Sequence, residues 1–515
     1  MKSESIPTTQ QSLFLLAFAI LLGGWLRFTP GLLAGFPIND GGMFAVAIDE
    51  IIKNGFALPQ AIPYNQLEIP FVYPPLPFYL AAFIRFLFKI PTISLLMWIP
   101  AAAATLCIPI IYLLAHTLTH DSVKAALTSL LYALLPGGAA WLVMGGGLTR
   151  AFGLLFLLLT IRSAYALFLD GKKEHGWQAA LWGSLTVLSH PEMALHAAGL
   201  AAALLLVSCK KENFMRALLV GLGVMVLTSP WWGVTLARYG LEPFILASKL
   251  SLRDPLWTLQ QLVFLQLTGE ENFPVVGVLG LLGFGVLFAR KEYRLAILII
   301  VPYLVNQRNA GTIAVVFLCL AAATAVHELI LPELERLKAG NQAAITGFAV
   351  YLGLLLLLAA YLGVLQQAKA VVSSDNRAAM SWVTENTPAE SRFLILTGNT
   401  HLFYDPTLEW FPVLAQRQSI ITIQGREWQF GDVFYAEMSQ FQQVQACYFA
   451  NLACLTEKSK ELPGYDYLYL TKTCTGQPNC PGSLQTSPLY LALRAAGQPV
   501  VYENQSLAIF AAPQP

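Results

Sequence analysis

Ser12-Leu13-Phe14-Leu15-Leu16-Ala17-Phe18-Ala19-Ile20-Leu21-Leu22-Gly23-Gly24-Trp25-Leu26-Arg27-Phe28 runs into a polar loop, Gly35-Phe36-Pro37-Ile38-Asn39-Asp40-Gly41-Gly42-Met43-Phe44. The apolar run is long enough to enter a bilayer. A short polar tail with Lys2 precedes it, and no small-residue cleavage site follows, so it reads as a membrane anchor rather than a cleaved signal. Further runs follow at Ile93–Ala115, Ala125–Leu142, Ala151–Leu169, Trp177–Ser189, Met193–Ser208, Ala217–Ala237, Pro274–Ala289, Leu295–Val305, Gly311–Ile330 and Ala343–Leu365. The expectation is a polytopic α-helical membrane protein with about eleven spans.

Composition agrees. Of 515 residues, 56% are hydrophobic and 12% charged, about half the charge of a soluble domain. The net charge of +1 excludes nucleic-acid binding as the main activity. The charge divides the chain in two. Residues 370–515 carry 8 basic and 12 acidic side chains, against 23 and 18 in residues 1–369. Residues 1–369 therefore read as the transmembrane part, and residues 370–515 as a polar domain of ordinary size.

Orientation follows from basic residues in short loops. Lys172-Lys173, Lys210-Lys211 with Arg216, Arg290-Lys291 with Arg294, and Arg336 with Lys338 fall on one side, with Lys2 and Lys124. Placing that side in the cytoplasm of a plasma membrane puts loop 29–92, the turn 143–150, the His190-Pro191-Glu192 turn, the segment 238–272, the Asn306–Ala310 turn and residues 370–515 outside. Tyr79–Leu87 is apolar but short, interrupted by Arg85 and bracketed by prolines. It and Met43–Lys53 read as helices on the outer membrane surface.

In the tail, helices are expected over Asn376–Glu385, Phe434–Ala450 and Leu489–Ala496. Strands are expected at Arg392–Leu396, Tyr467–Thr471, Val500–Tyr502 and Ser506–Phe510, giving a small α/β domain. Cys447, Cys454, Cys474 and Cys480 all fall there, where an outside location permits disulfides. The favoured pairing is local, Cys447–Cys454 and Cys474–Cys480. Zinc fits less well, since no CxxC spacing occurs.

Polar residues at the ends of spans are candidates for chemistry. Asp40 lies just past the first span, where it reads either as a general base or as the N-cap of the helix that follows. Arg150 closes Gly145-Gly146-Gly147-Leu148-Thr149, either as a phosphate clamp or as a snorkelling arginine. His190 and Glu192 flank Pro191 in a short hairpin, and Arg308 lies among Asn306, Gln307 and Asn309. Each is either functional or part of a solvated turn. Tyr64, Phe71, Tyr73 and Tyr79 suit an interfacial belt or sugar stacking. A transporter or flippase is the competing class. Against it, the sequence shows no internal repeat and gathers its polar sites at one face.

The loop Gly35–Phe44, the later Ile69-Pro70-Phe71-Val72-Tyr73-Pro74-Pro75-Leu76, and the tail segments Glu409-Trp410-Phe411-Pro412 and Gly425-Arg426-Glu427-Trp428 resemble the GT-C superfamily of membrane glycosyltransferases. The likeness is to bacterial enzymes of the protein mannosyltransferase and aminoarabinose transferase type. The resemblance implies an inverting transferase using a polyprenyl-phosphate sugar, with a glycan, lipid or protein acceptor. Asp40 matches the superfamily's loop-one base. Tyr64, Tyr73, Arg150, His190, Glu192 and Arg308 are the candidate substrate contacts, with the arginines on the leaving phosphate. The second outer loop has no acidic pair, which departs from the metal-dependent oligosaccharyltransferase pattern. No cofactor is expected, although Asp40, His190 and Glu192 leave open a divalent cation.

Overall fold

The computed structural model describes residues 8–249, 256, 259–260, 268–270, 274–431, 433–473 and 486–512. The chain is a multi-pass helical membrane protein with a C-terminal sheet domain. Helix α1 (Thr8–Ala34) leads to α2 (Gly42–Lys53), a hairpin of β1 (Ala61–Tyr64) and β2 (Leu67–Pro70), and α3 (Leu76–Phe88). The bundle continues through α4 (Thr92–Thr119), α5 (Ser122–Leu134), α6 (Pro136–Ala139), α7 (Gly147–Phe168), α8 (His175–Val187), α9 (Pro191–Ser208), α10 (Lys211–Tyr239) and α11 (Glu242–Lys249). After the 274 position come α12 (Val275–Ala289), α13 (Tyr293–Val305), α14 (Ala310–Ala325) and α15 (Leu331–Gln367).

Every expected span but Ala125–Leu142 falls on a helix. Seven stretches among the described residues are long and apolar enough to cross a membrane. The other four expected spans, α5, α8, α12 and α13, have 13 to 15 residues. Their axial rise is about 20 Å, well under the roughly 30 Å of a hydrocarbon core.

One expected span is corrected. Ala125–Leu142 is not continuous: α5 stops at Leu134 because Pro136 lacks a backbone N–H and disfavours helical geometry at Leu135. Arg27, buried in α1, donates through Nη1 to the carbonyl of Ala133 at 3.2 Å and lies over the Tyr132 ring. A cation thus meets the open carbonyl end of α5.

Helices α2 and α3 are tied together by Arg85, which pairs with Asp49 and donates to Thr92; α2, expected on the membrane surface, is instead largely buried. One face of α3 leaves Phe83, Phe86, Leu87 and Phe88 exposed, as expected of a helix lying on lipid.

The C-terminal domain comprises α16 (Ser374–Asn386), β3 (Arg392–Leu396), α17 (Pro406–Leu414), β4 (Gln418–Ser419), α18 (Val433–Ala446), α19 (Leu452–Lys458), β5 (Tyr467–Thr471), α20 (Pro488–Ala495), β6 (Val500–Glu503) and β7 (Leu507–Ala511). The sheet order is β4-β3-β5-β7-β6, parallel from β4 to β5 and antiparallel thereafter. Cys447 and Cys454 form the expected disulfide. Cys474 and Cys480 lie outside the described residues. The expected helix over Phe434–Ala450 ends at Ala446, and a 3-10 turn, Cys447–Phe449, leads to α19.

The core ignores the boundary near residue 370. Ile48 and Ile51 of α2, Ile62 and Ile69 of the hairpin, and Phe78 of α3 belong to one apolar cluster with Phe393–Leu396, Trp410, Leu468–Leu470 and Ile509. The first loop is therefore packed into the C-terminal domain, and this packing positions the site.

Candidate active site

Asp40 sits in a loop fastened from two sides. Below it, the Gly145 N–H donates to the Ile38 carbonyl at 2.9 Å, and the Gly146 N–H donates to Asp40 Oδ1 at 2.8 Å. Glycine is required here: a Cβ at Gly145 would overlap the Asp40 carbonyl, and one at Gly146 would overlap its carboxylate. Arg150, one turn into α7, reaches Asp40 Oδ2 through Nη2 at 3.3 Å. Its guanidinium lies over the Trp141 ring, 5.3 Å from the centroid, and Nη1 donates to the Trp141 carbonyl.

The expectation that Asp40 caps the following helix is corrected. The N-cap of α2 is Gly41, with a φ of 122°, and the Asp40 side chain makes no capping bond. Glu409 of α17 supplies the acceptor instead. Its Oε1 receives the N–H groups of Gly41 at 3.3 Å and Met43 at 3.2 Å. Trp410 Nε1 donates to the Asn39 carbonyl at 3.0 Å, fastening the loop from above.

A second pair lies within electrostatic reach of Arg150. Arg308 Nη1 meets Glu192 Oε1 at 3.3 Å, and Asn309 donates to Glu192 Oε2. Tyr73 lies between the pairs. Its hydroxyl accepts from Thr149 Oγ1 at 3.4 Å, and its ring meets Phe44, Phe78, His190 and Trp428. Burial raises the Tyr73 phenol above its usual range, partly offset by the Thr149 bond, Arg150 and Arg308. His190 is the N-cap of α9, accepting the Met193 N–H through Nδ1 at 3.4 Å. Burial, then the charges of Arg150 and Arg308, hold its imidazole well below its ordinary value, so it is neutral. Asp40, Arg150, Tyr73, His190, Glu192 and Arg308 thus share one end of the bundle. Tyr64 does not face them: it is 1% exposed, and its hydroxyl donates to the Glu409 carbonyl at 2.6 Å. Tyr64, expected as a substrate contact, packs into the core that the first loop shares with the C-terminal domain.

Two acidic groups of the C-terminal domain were not singled out as site residues. Burial pushes Glu409 up to about 8, with Asp40 adding to the effect. Burial pushes Glu427 up to about 7, against the pull of Arg308. The sequence signal for both is the same: an acid beside a tryptophan, in Glu409-Trp410 and Glu427-Trp428. Asp40, His190 and Glu192, the expected candidates for a cation, each face a different partner: Arg150, the backbone N–H of Met193, and Arg308. Among the described residues no three His, Cys, Asp or Glu side chains converge as a metal requires.

The architecture matches solved structures over nearly its whole length. The ArnT structure from Cupriavidus metallidurans bound to undecaprenyl phosphate aligns with 98% of this chain and 100% of its own, at a TM-score of 0.54 and 15% identity. The archaeal oligosaccharyltransferase AglB from Archaeoglobus fulgidus, in complex with an inhibitory peptide and a dolichol-phosphate, aligns with 90% of this chain and 70% of its own, at 0.55 and 16%. The chain has the GT-C fold. Mycobacterial arabinofuranosyltransferase AftD shares that fold over 97% of this chain and 40% of its own, at 0.53 and 14% identity. No protein-family model and no curated protein matches the sequence. Within the GT-C fold, the loop after the first helix and the C-terminal domain meet over the ends of α7 and α9, where the Asp40 and Arg308 clusters lie.

Proposed function

We propose that the chain is a membrane glycosyltransferase that moves a sugar from a polyprenyl-phosphate carrier to an acceptor hydroxyl on the extracytoplasmic face, without a metal. The observation that carries this reading is the Asp40–Arg150 pair at 3.3 Å, with the Arg308–Glu192 pair close enough for Glu192 to act on Arg150. Asp40 takes the proton of the acceptor hydroxyl as its oxygen attacks sugar C1. The bond from C1 to the phosphate oxygen breaks on the opposite face, inverting the centre. The electron pair leaves with the phosphate, whose charge meets a guanidinium.

The two arginines divide these tasks. Arg150 is stacked on Trp141 and holds Asp40 in place. Arg308 keeps 42% of its side chain exposed, so it is free to exchange Glu192 for a phosphate. Tyr73 and neutral His190 wall the chamber and add no charge to it. The acceptor is a glycan, lipid or protein.

The test uses purified protein and a panel of short-chain polyprenyl-phosphate hexoses and pentoses, followed by release of polyprenyl phosphate. Wild type should turn over at least one donor. Asp40→Asn should fold normally and lose roughly 10²–10⁴-fold in turnover. Full turnover by Asp40→Asn removes the base from the mechanism.

A further inference from the structure

An aspartate just before a helix finds its nearest donors in the amides two and three residues on. For Asp40 these are Gly42 and Met43, at the start of α2. Yet its carboxylate points the other way, onto Gly146 and Arg150. The Met43 N–H is already taken, with that of Gly41, by the single oxygen Oε1 of Glu409. Glu409 comes from α17, a helix in the other half of the sequence, and is 4% exposed. Its carbonyl accepts the Tyr64 hydroxyl at 2.6 Å and lies so close to Gly42 that a Cβ there would overlap it. Its neighbour Trp410 holds the Asn39 carbonyl. Two consecutive residues of the C-terminal domain therefore grip Asn39–Met43 on the side opposite Arg150.

We infer that Glu409 is a helix cap supplied by the C-terminal domain, which withholds the Met43 amide from Asp40 and so keeps the Asp40 carboxylate on Gly146 and Arg150. Glu409 is thus a positioning residue that acts through Asp40. Its task needs an acceptor oxygen, not a charge. Removing that oxygen leaves the Met43 amide unsatisfied in a buried place. Asp40 is the nearest acceptor, and a turn about its Cα–Cβ bond satisfies the amide at the expense of the catalytic position. The helix stays capped, and the base is lost.

This rests on the reading of Asp40 as the base, and the experiment separates the two. Glu409→Ala and Glu409→Gln are compared with wild type in turnover of the polyprenyl-phosphate sugar panel, in thermal stability, and in a structure of Glu409→Ala. Gln keeps a carbonyl oxygen at Oε1. It should retain turnover within a few-fold, with unchanged KM. Ala should lose about 10²-fold in kcat at nearly unchanged KM, the scale of a misplaced catalytic group. Its structure should show Asp40 on Gly42 or Met43. Equal loss in Gln and Ala, or wild-type turnover in Ala, overturns the inference. Should wild type transfer no sugar at all, the functional reading fails, and the Glu409→Ala structure alone judges the cap: Asp40 still on Gly146 overturns it.

Discussion

At the residue scale the site is decided by close approaches. Gly146 has a φ of −70°, which alanine adopts freely, so its glycine serves space rather than conformation. Gly146→Ala should fold and bind donor, but push the Asp40 carboxylate aside and lower kcat by about 10²-fold, read from steady-state kinetics. Glu409 gives a pH signature. Its folded value of about 8 exceeds the ordinary value of 4.5, so the folded state keeps a proton that the unfolded chain has lost. The resulting stability is whole below about pH 4.5 and disappears as pH climbs to about 8. Glu409→Gln should match wild type in melting temperature near pH 4 and exceed it increasingly toward pH 8. Asp40, Arg150 and Arg308 could be picked out as candidates from the sequence because each is a charged residue in a short polar segment between apolar runs. That Asp40 is not a cap was illegible, because the competing acceptor lies more than 360 residues away.

Among the elements, hydrophobic runs located every expected bundle helix, since burial in lipid or core leaves little other freedom to an apolar segment. The break in Ala125–Leu142 was written as Leu135-Pro136-Gly137-Gly138 but hidden by apolar neighbours on both sides. Strand β4, of two residues, and helix α17, with Pro412 inside it, carry no periodicity to read. Both are fixed by long-range packing on β3 and α2. The Cys447–Cys454 disulfide closes a short loop with a separation of 7. Opening it by Cys454→Ser should cost about 2 kcal/mol in the C-terminal domain, measured by denaturation in detergent, with donor KM unaffected. A larger activity loss than stability loss contradicts its placement away from the chamber.

The whole molecule is less divisible than its charge suggests. Sequence composition splits it near residue 370, but the first loop shares its core with the C-terminal domain. A fragment ending at 369 loses the partners of Ile48, Ile69 and Phe78, together with Glu409 and Trp410. It should aggregate on size exclusion and transfer nothing, even with the remaining domain added. The face away from the chamber is basic: Glu328, where α14 passes through one π turn toward α15, pairs with Lys124 and Arg290. The most direct measurement is a structure with a polyprenyl-phosphate sugar bound. Its phosphate should displace Glu192 from Arg308, with sugar C1 open to an acceptor oxygen held by Asp40. A phosphate seated away from both arginines, or a sugar on the far side of Arg150 from Asp40, contradicts the account.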